Sequence, residues 1–141
     1  MPSDVSNRPS REPIDRLREA PVTPMAVRAA LGLGVFTALG QTGMTADELA
    51  HALSVKPRRL ELLLLQLVVG EFLELHDGRF SNTEMAAHYL VEGAPDYIGA
   101  VYGNWTGYWR SQLVTEQSIR TDAPQAKVDF EGCRLKNSAD S

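Results

Sequence analysis

Asp77-Gly78 stands between two short extended runs, Phe72-Leu73-Glu74-Leu75-His76 and Arg79-Phe80-Ser81. A type I′ turn needs positive φ at both central residues. Asp-Gly meets that need with little strain, so the pair predicts a two-residue hairpin loop. The loop fixes the register: Leu75 falls opposite Phe80, and Glu74 opposite Ser81. One face of the hairpin is then apolar and the other meets water. A lone two-stranded hairpin is marginal in water, so its apolar face has to lie on helices, and the flanking sequence has to supply them.

Thr45-Ala46-Asp47-Glu48 is a capping box, with Thr at the N-cap and Glu at N3. It opens a short helix with Leu49, Ala50 and Leu53 turned inward. After a turn at Ser54-Val55-Lys56, Pro57 suits the first turn of a helix running to about Val69, which Gly70 ends. Beyond the hairpin, Thr83 or Asn82 caps a short helix through Tyr89. Upstream, Pro24 starts a helix predicted to run to about Leu39, apolar nearly all the way round. Such a helix must be covered on all sides. A second chain is the natural cover, and Leu31, Leu33, Val35 and Phe36 are the expected dimer interface. Gly32 and Gly34 would permit close helix approach. A long helix is expected from about Tyr97 to Arg120, carrying an aromatic stripe with Tyr102, Trp105 and Trp109 in it.

Three helices followed by a hairpin give a winged-helix-like outline, so the fold class is mostly α with a small β-hairpin wing and a long C-terminal helix. The division along the chain is a polar arm at 1–20, the packed body at 21–120, and a polar, disordered tail at 121–141. The patternless GCRLKNSADS after Glu131 reads as a chain cut short by a shifted frame.

Composition removes several functions. The net charge is −4, against the basic excess usual in nucleic-acid binders. Over residues 45–90 the four bases (Lys56, Arg58, Arg59, Arg79) face seven acids (Asp47, Glu48, Glu61, Glu71, Glu74, Asp77, Glu84), a balance of −3. The helix that would read a groove continues LELLLLQLV, which is no polar, basic face. Cys133 is the single cysteine, so no disulfide framework exists and a reducing, cytoplasmic setting is expected. No apolar run reaches the ~20 residues that span a bilayer. His51, His76 and His88 are scattered, without metal-ligand spacing. Gly32-Leu33-Gly34 falls in a helical context and lacks the strand–turn–helix setting of a nucleotide loop.

From Met25 to about Pro124 the sequence resembles the N-terminal dimerisation domain of S-adenosylmethionine-dependent O-methyltransferases of the caffeic-acid, acetylserotonin and polyketide-tailoring type. The matching stretches are Ala30-Leu31-Gly32-Leu33-Gly34-Val35-Phe36-Thr37-Ala38-Leu39, Met44-Thr45-Ala46-Asp47-Glu48-Leu49-Ala50, Arg58-Arg59-Leu60, Gly70-Glu71-Phe72-Leu73 and Asp77-Gly78-Arg79-Phe80-Ser81-Asn82-Thr83. Trp109, Gln112-Leu113 and Ser118-Ile119-Arg120-Thr121 resemble the helix that leads to the catalytic domain. The resemblance implies an intertwined homodimer, no DNA binding, and one wall of a substrate pocket, here formed by Tyr102, Trp105 and Trp109. Family catalysis sits in a following domain with a glycine-rich loop for the methyl donor, and this sequence has no Asp-x-Gly-x-Gly-x-Gly. The chain alone is therefore expected to be inactive, with no catalytic, cofactor or metal residues; S-adenosylmethionine is implied only for a full-length relative. Expected partners are a second copy or a full-length methyltransferase, with an aromatic or polyketide-like small molecule, and neither nucleic acid nor membrane. Two rival readings are a winged-helix transcriptional regulator and a stand-alone small-ligand-binding dimer.

Overall fold

The computed structural model describes residues 8–103 and 105–125. Helix α1 (Glu12–Glu19) carries no buried residue. Helix α2 (Val22–Leu33) buries Ala26, Val27 and Ala30. The single helix expected from Pro24 to Leu39 is two. Gly34 adopts φ +79, closes α2 with its N–H, and starts a short α3 (Val35–Leu39) in a new direction. Glycine reaches that left-handed region without a Cβ clash. The turn drives Val35 (0% exposed), Phe36 (1%) and Leu39 into the chain's own core.

Helix α4 (Ala46–Leu53) opens on the expected capping box. The Glu48 amide donates to Thr45 Oγ1 at 3.2 Å, and the Thr45 amide donates to Glu48 Oε2 at 3.0 Å. Helix α5 (Pro57–Val69) packs against α2 and α4 and buries Leu60, Leu64 and Leu67. Strands β1 (Leu73–His76) and β2 (Arg79–Asn82) pair antiparallel in the expected register, Leu75 opposite Phe80 and Glu74 opposite Ser81. Asp77 and Gly78 take φ +50 and +75, as a type I′ turn requires.

The hairpin is tied to the helices at three points. Met44 and Phe80 exchange backbone hydrogen bonds of 2.9 and 2.7 Å. Asn82 Nδ2 donates to the carbonyls of Phe36 and Gly40, both at 2.9 Å, at the end of α3. Thr83 Oγ1 donates to the Phe72 carbonyl and accepts from the Ala86 amide, capping α6 (Glu84–Tyr89). One core results, centred on Phe36, Leu39, Leu49, Leu64, Leu67 and Leu73, and no polar residue among the described ones is buried.

Of the long C-terminal helix expected from Tyr97 to Arg120, the described residues give helix at α7 (Gly99–Gly103), α8 (Trp105–Leu113) and α9 (Thr115–Thr121). Tyr97 precedes them in a loop, and Val114 leaves helical geometry between α8 and α9. Helix α7 lies on α2. The tail expected to be disordered lies outside the described residues from position 126 onward.

Candidate interface and ligand hollow

Helix α5 is apolar on two sides, and the chain covers only one. Leu60, Leu64 and Leu67 face inward, while Leu62 (64% exposed), Leu65 (40%) and Val69 (76%) face solvent. The antiparallel neighbour α2 leaves Val22, Met25 and Leu33 exposed as well. Gln66 Nε2 donates to Thr23 Oγ1 at 3.3 Å and ties the two helices together beside this surface. Isolated exposed leucines need no explanation, but six large apolar residues along two adjacent helices form the kind of patch that marks an interaction site.

The four residues expected at a dimer interface therefore separate. Leu33 is exposed and Leu31 half-buried, whereas Val35 and Phe36 belong to the interior of one chain and present nothing to a partner. The helix expected from Pro24 to about Leu39 would be uncovered along its whole length; the turn at Gly34 covers its second half.

A hollow of about 240 Å³ opens between the start of α2, the residues preceding the hairpin, α6 and α7. Val27, Phe72, Met85, Tyr89, Ile98 and Tyr102 line it. Its wall is almost wholly apolar and aromatic, with hydroxyl-bearing Thr23, Tyr89 and Tyr102 among its residues. Apolar hollows with a few polar groups are the usual form of a small-molecule site. Of the expected substrate wall, Tyr102 is here. Trp109 sits in α8 with its ring edge-on to Tyr108, 6.3 Å between centroids, and does not line the hollow. The side chain of Trp105 lies outside the described residues. Met85 and Tyr89, four apart on the exposed side of α6, were not singled out in the sequence; that spacing was the available signal.

The histidines remain apart. His88 Nε2 lies 2.7 Å from Asp96 Oδ2, joining α6 to the loop that follows it, and His76 lies 3.7 Å from Glu74. Among the described residues no cluster of His, Cys, Asp and Glu could hold a metal. No glycine-rich turn among them leads from a strand into a helix, the arrangement that holds the phosphates of a nucleotide. No helix among them is long and apolar enough to cross a membrane.

Two side chains have shifted acidities. Glu48 is held below the usual carboxylate range, first by the Thr45 amide and then by Arg79, which donates to it at 3.0 Å and to the Gly43 carbonyl at 2.8 Å. Burial pushes the Tyr97 phenol up, and the charge of Glu92 adds to that. Arg79, the basic residue of the wing, is thus engaged with α4 and the loop before it.

The family described as the O-methyltransferase dimerisation domain matches residues 16–92. The chain is 40% identical over 101 residues to 3-hydroxy-5-methyl-1-naphthoate 3-O-methyltransferase of Streptomyces sahachiroi, covering 71% of this chain and 29% of that protein. It is 34% identical over 74 residues to the N,N-dimethyltransferase OxyT of Streptomyces rimosus, covering 52% and 22%. It thus spans less than a third of the length of these relatives. Its fold is that of part of CalO1, a methyltransferase in calicheamicin biosynthesis solved in an SAH-bound form. The TM-score is 0.74 at 22% identity, covering 94% of this chain and 42% of that one.

Proposed function

Because the chain belongs to the O-methyltransferase dimerisation-domain family, we propose that it holds two copies of a small-molecule methyltransferase together and adds one wall to the substrate pocket. The observation that carries the reading is the uncovered apolar surface of α2 and α5, including Leu33, Leu62, Leu65 and Val69, on a chain whose own core is complete without them. Burying a large apolar side chain is worth about 1.5–3 kcal/mol, so a second copy closing over this surface gains enough to associate. A heterodimer with a full-length methyltransferase would use the same face.

The substrate class is a planar aromatic or polyketide-like molecule. Supporting this are the aromatic lining of the 240 Å³ hollow and the naphthoate named for the 40% identical relative. Tyr102 is the wall residue we assign. S-adenosylmethionine is the donor of the complete enzyme; the described residues do not fit it, and we place its site outside them. The single cysteine suits a reducing compartment, and we place the domain in the cytoplasm. A DNA-reading role is disfavoured because the outward face of α5 is Leu62, Leu65 and Val69, and the wing's Arg79 is paired with Glu48.

Sedimentation equilibrium on the full chain tests the association. A dimer at mid-micromolar protomer is expected, and a folded monomer there overturns the reading. In calorimetry with S-adenosylmethionine no saturable heat is expected; micromolar binding would relocate the donor site.

A further inference from the structure

We propose that the two copies meet through α5 laid antiparallel on its twin across a two-fold axis at Leu65, with Arg58 and Arg59 of each copy reaching Glu71 of the other. This rests on the homodimer reading and adds its register and polarity. Arg58, Leu62, Leu65 and Val69 are spaced four, three and four, the interval of a coiled-coil seam. All four are exposed.

Three features of α5 run against what a solitary helix prefers, and one contact accounts for them together. Its N-terminus carries Lys56, Arg58 and Arg59, with no acid in the first turn and no side-chain cap, although the helix dipole favours acids there. Its C-terminus closes in a Schellman arrangement, the Glu71 amide bonding the Val68 carbonyl at 3.0 Å and the Phe72 amide the Leu67 carbonyl at 2.9 Å. The left-handed position of that motif, usually glycine or asparagine, is Glu71 at φ +65. Its middle exposes a leucine–valine stripe. Among the described residues none of Lys56, Arg58, Arg59 and Glu71 forms an ion pair.

A two-fold axis pairs positions equally far from it. About Leu65, position 59 meets 71, position 62 meets 68 and position 61 meets 69, so Val69 of the seam lies against the stem of Glu61. Each basic end then lies over the acidic end of the partner, about 20 Å away along the helix at 1.5 Å per residue. The apolar centres close on each other between them. Such an interface is self-complementary, as a two-fold contact must be. In a parallel pairing the three cations of each copy would face the three of the other.

The test uses the full chain with Cys133→Ser. Leu65→Cys places two thiols across the axis, within reach of a disulfide if the helices meet there; Ala52→Cys, exposed on α4, is the control. Mild oxidation is expected to link most Leu65→Cys protein into dimers and little of the control. If the reduced protein is a dimer by light scattering but Leu65→Cys does not link, the α5 pairing is overturned while the dimer reading stands. If Leu65→Cys links instead to Leu17→Cys in mixed samples, α1 occupies the seam and the proposal fails. A reduced, folded monomer overturns both. As a second measure, Glu71→Lys, or Arg58→Glu with Arg59→Glu, is expected to weaken association about three- to tenfold, from the strength of exposed ion pairs. Combining all three should restore most of it; losses that merely add reject the charge pairing.

Discussion

Replacing Gly70 by alanine sets a favourable backbone effect against a steric one, and the structure decides which wins. Gly70 ends α5 at φ −78, a conformation alanine adopts freely. On backbone grounds Gly70→Ala should therefore stabilise, by about 0.4–1 kcal/mol through the unfolded chain. A Cβ there, however, would stand 2.9 Å from Thr23 Cγ2 and 3.3 Å from Phe72 Cδ2. Thr23 is β-branched and its hydroxyl accepts from Gln66, so the methyl cannot swing aside without losing the bond between α2 and α5. Overpacking of this kind costs about 1–3 kcal/mol, leaving a net loss of about 1–2 kcal/mol. Urea unfolding followed by far-UV circular dichroism, at one fixed protomer concentration, should show the midpoint fall by roughly 0.5–1 M, given slopes of about 1–3 kcal/mol per M. Thr23→Ser removes the clashing methyl and keeps the hydroxyl. The pair Thr23→Ser with Gly70→Ala should therefore recover about 1 kcal/mol relative to additivity. An unchanged or raised midpoint for Gly70→Ala, or no recovery in the pair, refutes the packing argument at the α2–α5 contact on which the proposed interface is built.

Phe36→Ala is expected to cost about 3–5 kcal/mol of fold stability, because its buried ring meets Phe72 at 6.5 Å between centroids. Leu33→Asp, on the exposed surface, should instead weaken self-association and leave the circular dichroism of the folded chain intact; the reverse pattern would return Phe36 to the interface. Glu48 has a folded pKa below its unfolded one, so its contribution is complete above the unfolded value of about 4.5 and is lost as pH falls through the folded one. Arg79→Ala should raise the folded value only part of the way, since the Thr45 amide is the larger cause. Carboxyl NMR titration reads this directly, and an unmoved Glu48 would show that the Arg79 contact is not formed in solution.

Where sequence chemistry acts over three or four residues, it was legible. Thr45 with Glu48, Pro57 with Gly70, Asp77 with Gly78, and Thr83 each fixed an element end or a register that the structure repeats. Gly34 shows the limit. Read as a point of close helix approach, it leaves one long helix intact; taken as a residue free to enter positive φ, it ends α2 and turns α3 inward. The same kind of overextension carried the C-terminal helix through Val114, which separates α8 from α9. The proposed interface was hidden for a different reason. Leu60, Leu64 and Leu67 are chemically the same as Leu62 and Leu65, and only the position of α2, α4 and β1 says which set is covered. The hollow was less legible still, because Val27, Phe72 and Tyr102 come from distant parts of the chain.

A helix–turn–helix with a wing can serve two opposite ends, and the difference lies in what its third helix offers to the outside. A groove reader needs an outward face that hydrogen-bonds to base edges and a wing whose cations are free for phosphate. Here the outward face of α5 would set Leu62, Leu65 and Val69 against a polar groove, leaving base edges desolvated and unpaired. The wing's Arg79 spends its donors on Glu48 and Gly43, and that contact fastens the hairpin to α4 and to the loop before it. Releasing Arg79 for phosphate would free Glu48, a carboxylate, at the same surface. The contact that fastens the wing to the body thus also weighs against the nucleic-acid reading, and the apolar outward face of α5 supports the proposal that this helix meets another protein surface.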